Sequence, residues 1–343
     1  MERFKKIIKS LYFLFGTILI LIVVLFTVLL YYNSNPTYFL VDKSGNEFWT
    51  PKDIVNDPLR NFINPEVQYG FLLLSESPSQ MGPQAPDESM RFAGNNLKCT
   101  NCHLKNGTQA GSGSWVGVTD RFPQFGARGN KIGTIEDRVN GCLERSMNGR
   151  KMPVDSKPMR AIVAYMEWLS EDVPKEKAAE YTGFPSIKLP DVAANLITGK
   201  DIYNKQCLVC HGENGEGQRA ANPGQGYLYP PLWGEDSYNH GAGMHRVITA
   251  AQFIKGNMPF EEATWDNPKL TDEEAYHVAG YINSFDRPLK SSVENDFPDK
   301  KLKPVSTPYG PWTDNFSAEQ HKYGPFPPII EYYKKKYNIE KAR

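Results

Sequence analysis

Two copies of Cys-x-x-Cys-His, at Cys99-Thr-Asn-Cys102-His103 and Cys207-Leu-Val-Cys210-His211, constrain this chain more than any other feature. In this arrangement two thiols can add to the vinyl groups of a haem while the adjacent imidazole becomes an axial ligand of its iron. A structural zinc site needs further Cys or His at close spacing, and a redox dithiol does not require the histidine. The second copy continues as Gly212-Glu-Asn-Gly215-Glu-Gly217, and the two copies lie 108 residues apart. The motifs predict two covalently bound c-type haems, one held by Cys99, Cys102 and His103 and the other by Cys207, Cys210 and His211.

A chain of 343 residues has room for about two domains, one per motif, each able to close a core around a haem. The surroundings of the motifs repeat. Helices are predicted upstream over Pro65–Leu74 and Ala194–Lys205. Downstream, Met152-Pro153 precedes a helical pattern over Met159–Leu169, and Met258-Pro259 precedes one over Thr271–Phe285. The last opens on Thr271-Asp-Glu-Glu274, a capping box. The expected fold is mainly α, two tandem cytochrome c domains preceded by one transmembrane helix. The expected boundaries are residues 33–173 for the first domain, 174–190 for a Pro- and Lys-rich linker and 191–290 for the second domain. Residues 291–343 are expected to be a surface-wrapping tail, with a short helix over Tyr332–Tyr337.

The N-terminus carries its own signal. Residues 1–10 hold Arg3, Lys5, Lys6 and Lys9 against one acid, Glu2, and residues 11–32 contain no charge. About 20 apolar residues span a bilayer, and no Ala-x-Ala cleavage site follows Tyr32, so an uncleaved signal anchor is predicted. The basic flank stays in the cytoplasm, which places the haem domains in the periplasm or otherwise outside the inner membrane. Formal net charge is zero, so composition gives no basis for nucleic-acid binding.

The second axial ligand separates an electron carrier from an enzyme. For the second haem the donor is expected to be Met258, 47 residues after His211, with Met244 as the alternative. For the first haem the repeat nominates Met152, 49 residues after His103, yet Cys142 lies ten residues earlier and is the only thiol not used for attachment. A lone cysteine in an oxidising compartment is vulnerable unless it is buried or metal-bound, so Cys142 and Met152 both stand as candidates. If Cys142 begins a helical turn, Arg138 and Ser146, four residues on either side, share its face, and Arg128 lies upstream. Arginine favours thiolate and offers a planar fork to an oxyanion; each arginine alone reads equally well as a haem-propionate partner.

Four stretches carry a family resemblance: FAGNNLKCTNCHLKNGT, EDRVNGCLERSMNGR, YPPLWGEDSYNHGAGM and NMPF, with YGPWTDNF and QHKYGPF in the tail. The chain resembles the di-haem thiosulfate dehydrogenases, a family that includes enzymes running as tetrathionate reductases. The resemblance implies His103/Cys142 ligation at an active-site haem, His211/Met258 ligation at a relay haem, and a substrate pocket lined by Arg128, Arg138 and Ser146. It also implies thiosulfate or tetrathionate as substrate, and a cytochrome or respiratory-chain component as electron partner. Some relatives carry Lys before the ligand Met, where this chain has Asn257. The competing function is a non-catalytic di-haem electron carrier using Met152 and Met258, which leaves Cys142 without a role.

Overall fold

The computed structural model describes residues 1–34 and 49–341, with side chains described for 1–30 and 49–341. The chain divides into two compact units, Met1–Thr50 and Pro51–Arg343. The start of the region assigned to the first domain, residues 35–48, lies outside the described residues.

In the first unit, α1 runs over Glu2–Ser34. Among the described residues it is the one helix long and apolar enough to cross a membrane, with a mean hydropathy of 3.1 over its best window. Its two threonines do not leave their hydroxyls unpaired. Thr17 and Thr27 each donate to a carbonyl three residues back, Leu14 and Val24, at 2.8 Å, which is the internal satisfaction that a lipid environment demands.

The second unit is helical, with two short antiparallel hairpins. Its helices of nine residues or more are α2 (Pro65–Ser75), α3 (Ile135–Leu143), α4 (Lys157–Ser170), α5 (Leu196–Gln206), α6 (Val247–Asn257), α7 (Asp272–Ile282) and α8 (Pro327–Tyr337). Caps explain most of their starts. Asn64 accepts from Glu66 N–H and Pro65 opens α2; Ser156 caps α4; Asn195 accepts from two N–H groups of α5; Thr271 and Glu274 form the reciprocal box that opens α7. One hairpin pairs β1 (Gln124–Gly126) with β2 (Lys131–Gly133). The other pairs Gln218–Arg219 with Tyr227–Tyr229.

Two hydrophobic cores form, and each is organised by the same helix crossing. In the first, α2 packs on α4; in the second, α5 packs on α7, with α6 alongside. Both crossings put a glycine at the contact. A Cβ on Gly70 would lie 1.9 Å from the carbonyl oxygen of Ala161, and one on Gly199 would lie 2.3 Å from that of His277. The sequence repeat is therefore a repeat of close backbone approach. Leu73, Met159, Ile162 and Tyr165 fill the first core, while Tyr203, Val247, Ala279 and Ile282 fill the second.

The last 53 residues do more than wrap the surface. Val305, Phe326, Ile329 and Tyr333 are buried in the second core, and the terminal helix begins at Pro327, well before Tyr332. These apolar anchors sit between prolines and turns, which is why no helical period reveals them in the sequence. Behind them, His321 bridges the Val305 carbonyl and the Asp314 carboxylate, each at 2.9 Å, and Tyr333 donates to the same carboxylate at 2.6 Å.

Substituting Gly70→Ala should force two helix backbones apart and cost about 3 kcal/mol, read as a fall in the urea midpoint of the haem-loaded protein by far-UV circular dichroism. A loss below about 0.5 kcal/mol would show that the crossing has slack.

Candidate haem and anion sites

Each Cys-x-x-Cys-His motif folds into a single tight turn, Cys99–Asn101 in the first case and Leu208–His211 in the second. Each histidine is then fixed by a backbone carbonyl. His103 Nδ1 donates to the Gly113 carbonyl at 2.7 Å, and His211 Nδ1 donates to the Pro230 carbonyl at 2.8 Å. This leaves Nε2 as the free lone pair in both rings, the tautomer a metal-ligating histidine needs. Burial favours the neutral form, pulling His103 down to about 4 and lowering His211. Trp115 lies against the His103 ring at 4.8 Å between centroids.

Three of the attachment thiols are kept uncharged. Burial, helped by the neighbouring Cys142, pushes Cys99 up to about 12 and Cys102 to about 11, and burial also raises Cys207 to about 12. No group of three His, Cys, Asp or Glu side chains suited to a metal ion occurs among the described residues. Three arginine Nε atoms, on Arg121, Arg145 and Arg287, are buried without a hydrogen-bond partner. They are the kind of donor that haem carboxylates satisfy, so the residues present fit a haem at each motif.

Cys142 occupies the last turn of α3 and acts electrostatically on both thiols of the first motif. Arg138, one turn earlier and free of ion pairs among the described residues, acts on His103. Cys142 thus lies near the first motif, with the exposed Arg138 one turn before it on α3. Ser146 lies outside the helix: α3 ends at Leu143, and the chain turns back through Arg145 N–H and Met147 N–H, both donating to the Cys142 carbonyl. Met152 is 1 % exposed in the first core, its backbone locked in both directions by the Asn140 amide. Met258 follows the last residue of α6 and, like Met244, packs partly buried against the second core.

Arg128 is held by three groups. It sits at the tip of the β1–β2 hairpin and donates to the Asp296 carboxylate at 2.5 Å, to the Tyr309 hydroxyl at 2.9 Å and to the Gly241 carbonyl at 3.3 Å. The other oxygen of Asp296 receives Arg145 at 2.7 Å, and Tyr309 also donates to Asp296. Burial works against a charged Asp296, but Arg128 and Arg145 outweigh it and hold the carboxyl below its ordinary range. Arg246, immediately before α6, adds a fourth guanidinium. Burial first, then Arg128 and Arg138, press it down to about 10, with Tyr309 working the other way.

The family models agree with this two-part layout. Residues 91–174 match the SoxA/TsdA cytochrome c domain and residues 196–286 match cytochrome c. The thiosulfate dehydrogenase of Allochromatium vinosum is 41% identical over 238 residues, covering 68% of this chain and 83% of that protein. The chain belongs to the thiosulfate dehydrogenase family. The thiosulfate dehydrogenase of Stutzerimonas stutzeri is 42% identical over 208 residues, covering 59% of this chain and 66% of that relative, a little under two thirds of its length. The structure of thiosulfate dehydrogenase (TsdBA) from Marichromatium purpuratum superposes with a TM-score of 0.61 at 31% identity, covering 71% of this chain and 50% of that one. As a member of this family with two cytochrome c domains, the chain carries two c-type haems.

Sequence reasoning missed Asp296, Tyr309 and Arg246 in this family member. Asp296 and Tyr309 lie 168 and 181 residues from Arg128, in a tail without period. Only the surplus of arginines around Cys142 hinted that a carboxylate had to arrive from elsewhere.

Asp296→Asn should cost about 3 kcal/mol at pH 7, because it strands two guanidiniums. The folded carboxyl titrates below the unfolded one, so its stabilisation is complete above the ordinary aspartate value and is lost as pH falls through the folded value. In urea unfolding, the gap between wild type and variant should hold down to about pH 5 and close below about pH 4. A gap independent of pH down to about pH 3 would show that the carboxylate charge is not what matters.

Proposed function

We propose that this chain oxidatively couples two thiosulfate ions to tetrathionate, or runs the reverse reaction, at the haem 1 site. The observation that carries this reading is Cys142: a half-buried, non-attachment thiol beside the attachment thiols Cys99 and Cys102, with the exposed Arg138 one helical turn before it. An electron carrier has no use for that arrangement.

Cys99, Cys102, His103 and Cys142 would hold the first haem, and Cys207, Cys210, His211 and Met258 the second. Haems bound there would supply one-electron redox chemistry, so that two electrons could leave to an external acceptor. The remaining chemistry belongs to the chain. The Cys142 thiolate and the terminal sulfur of one thiosulfate form a sulfur–sulfur bond, and two electrons leave. The terminal sulfur of a second thiosulfate then attacks that bond, forming tetrathionate and returning the Cys142 thiolate. Two dianions repel, so the site has to supply positive charge. Arg138 and Arg128 supply it, with the Ser146 hydroxyl as a further donor. In the reverse direction the same residues hold tetrathionate while two electrons enter.

The apolar helix α1, with its basic flank at Arg3, Lys5, Lys6 and Lys9, supports a signal anchor in the inner membrane with the haem domains on the periplasmic side. The electron partner is a cytochrome or another respiratory-chain component meeting the second domain. Direction depends on the potentials of both haems and of that partner.

Cys142→Gly should abolish turnover in both directions, by at least about a thousandfold, while a pyridine haemochrome assay still counts two haems per chain. Haem reduction by thiosulfate, with tetrathionate formed in the same cuvette, tests the wild type. Full activity in the variant would defeat the assignment of Cys142. Failure of the wild type to oxidise thiosulfate or reduce tetrathionate would leave the electron-carrier reading in its place.

A further inference from the structure

Four guanidiniums gather around the turn that follows Cys142, and their counter-charges are unevenly shared. Arg128 and Arg145 divide the two oxygens of Asp296 between them. Arg138 and Arg246 have no carboxylate partner among the described residues. The polar contact that Arg246 makes is Nε to the Gly243 carbonyl at 3.4 Å, the long limit for a hydrogen bond. Its Nη2 lies above Gly243, where a Cβ would stand 3.4 Å away.

The loop bearing Arg246 is pinned to the site rather than merely near it. Asn239 N–H donates to the Arg145 carbonyl at 3.1 Å. The Asn239 amide donates to the Glu144 carbonyl at 2.9 Å and to Asn148 Oδ1 at 3.0 Å. Two residues on, the Gly241 carbonyl accepts from Arg128. Residues 239–246 are therefore held against the turn that follows Cys142. A half-buried guanidinium on that loop, repelled by Arg128 and Arg138, is stabilised when an anion arrives. Haem carboxylates are the other candidate occupants, but Arg121 already offers them a buried, unpaired Nε on the first domain.

We propose that Arg246 is a substrate-binding residue of the haem 1 site, contributed by the second domain, which holds the sulfonate of one thiosulfate while Arg138 holds the other. This rests on the reading of the site as one for thiosulfate and tetrathionate, and adds that anion binding requires both domains. Arg128, tied to Asp296, Tyr309 and Gly241, then has little freedom to follow the substrate and defines the edge of the pocket.

The test uses the full haem-loaded protein, with Arg246→Gln and Arg246→Lys variants. Tetrathionate binding to the oxidised protein is measured by calorimetry, alongside kcat and KM for thiosulfate and the potential of each haem. Arg246→Gln should weaken tetrathionate binding and raise KM about tenfold or more, with kcat changed less and both haem potentials held, and Arg246→Lys should recover part of the affinity. A shifted haem 1 potential with tetrathionate affinity and KM within about twofold of wild type would assign Arg246 to the haem carboxylates and overturn the proposal. Should Arg246→Gln fail to fold, Arg246→Lys decides: wild-type affinity and KM overturn the proposal, while weaker binding at unchanged potentials upholds it. A wild type that neither binds nor turns over these anions would sink the functional reading as well, whereas an active wild type with unaffected variants sinks this inference alone.

Discussion

The end of α3 leaves backbone carbonyls that have to be satisfied, and this requirement joins the two cytochrome domains. The Asn95 amide, fully buried, donates to the Ser146 carbonyl at 3.0 Å and to the Ser237 carbonyl at 3.1 Å. Asn239, 1 % exposed, reaches from the second domain to the carbonyl of Glu144 and the side chain of Asn148. Both donors of each amide are used, and neither amide could be withdrawn without stranding buried groups on the other domain. The position of Cys142 and the placement of the second domain are thus set together. Nearby, Asp236 accepts from Asn96, Arg219 and Tyr227, so the same boundary is held by charge as well as by amides.

Electrostatics follow from that junction. Arginines crowded at the C-terminal end of α3 repel one another even though the helix dipole favours cations there, and the chain supplies two carboxylates against them, Glu144 at 3.9 Å from Arg145 and Asp296 from a segment far along the sequence. Two carboxylates for four guanidiniums leave the site cationic. Such a deficit weakens the folded protein and is retained only where something anionic binds. Stability and anion affinity therefore oppose each other here: an extra buried acid would steady the turn after α3 and reduce the charge available to substrate.

The haem motifs, the repeated helix pairs and the capping residues were legible because each is a local pattern with a fixed period or spacing. Arg138 and Cys142 were legible for the same reason, being one helical turn apart. The expectation of Ser146 on the same helical face was not met, because α3 stops at Leu143 and the carbonyl of Cys142 is used to close the turn. Asp296, Tyr309 and Arg246 could not be read, because their meaning depends on pairing across more than a hundred residues. The tail was opaque for a related reason. Its core residues Val305, Phe326 and Ile329 are single anchors with no amphipathic run to mark them.

Asn257, the residue before Met258, can be read physically: it is fully buried. Its amide nitrogen donates to the Gly111 carbonyl at 2.8 Å and to the Phe253 carbonyl at 2.9 Å, while its oxygen accepts from Gln109 at 2.8 Å. Gln109 and Gly111 belong to the loop that leads from His103 to the carbonyl of Gly113, so Asn257 ties the loop of the first haem histidine to the residue before Met258. A lysine has three donors and no acceptor. It could replace the bonds to the two carbonyls but would leave the Gln109 amide facing a cation. The asparagine here thus makes a neutral, fully paired bridge between the two haem loops, a role that a lysine at this position cannot fill without rearranging Gln109.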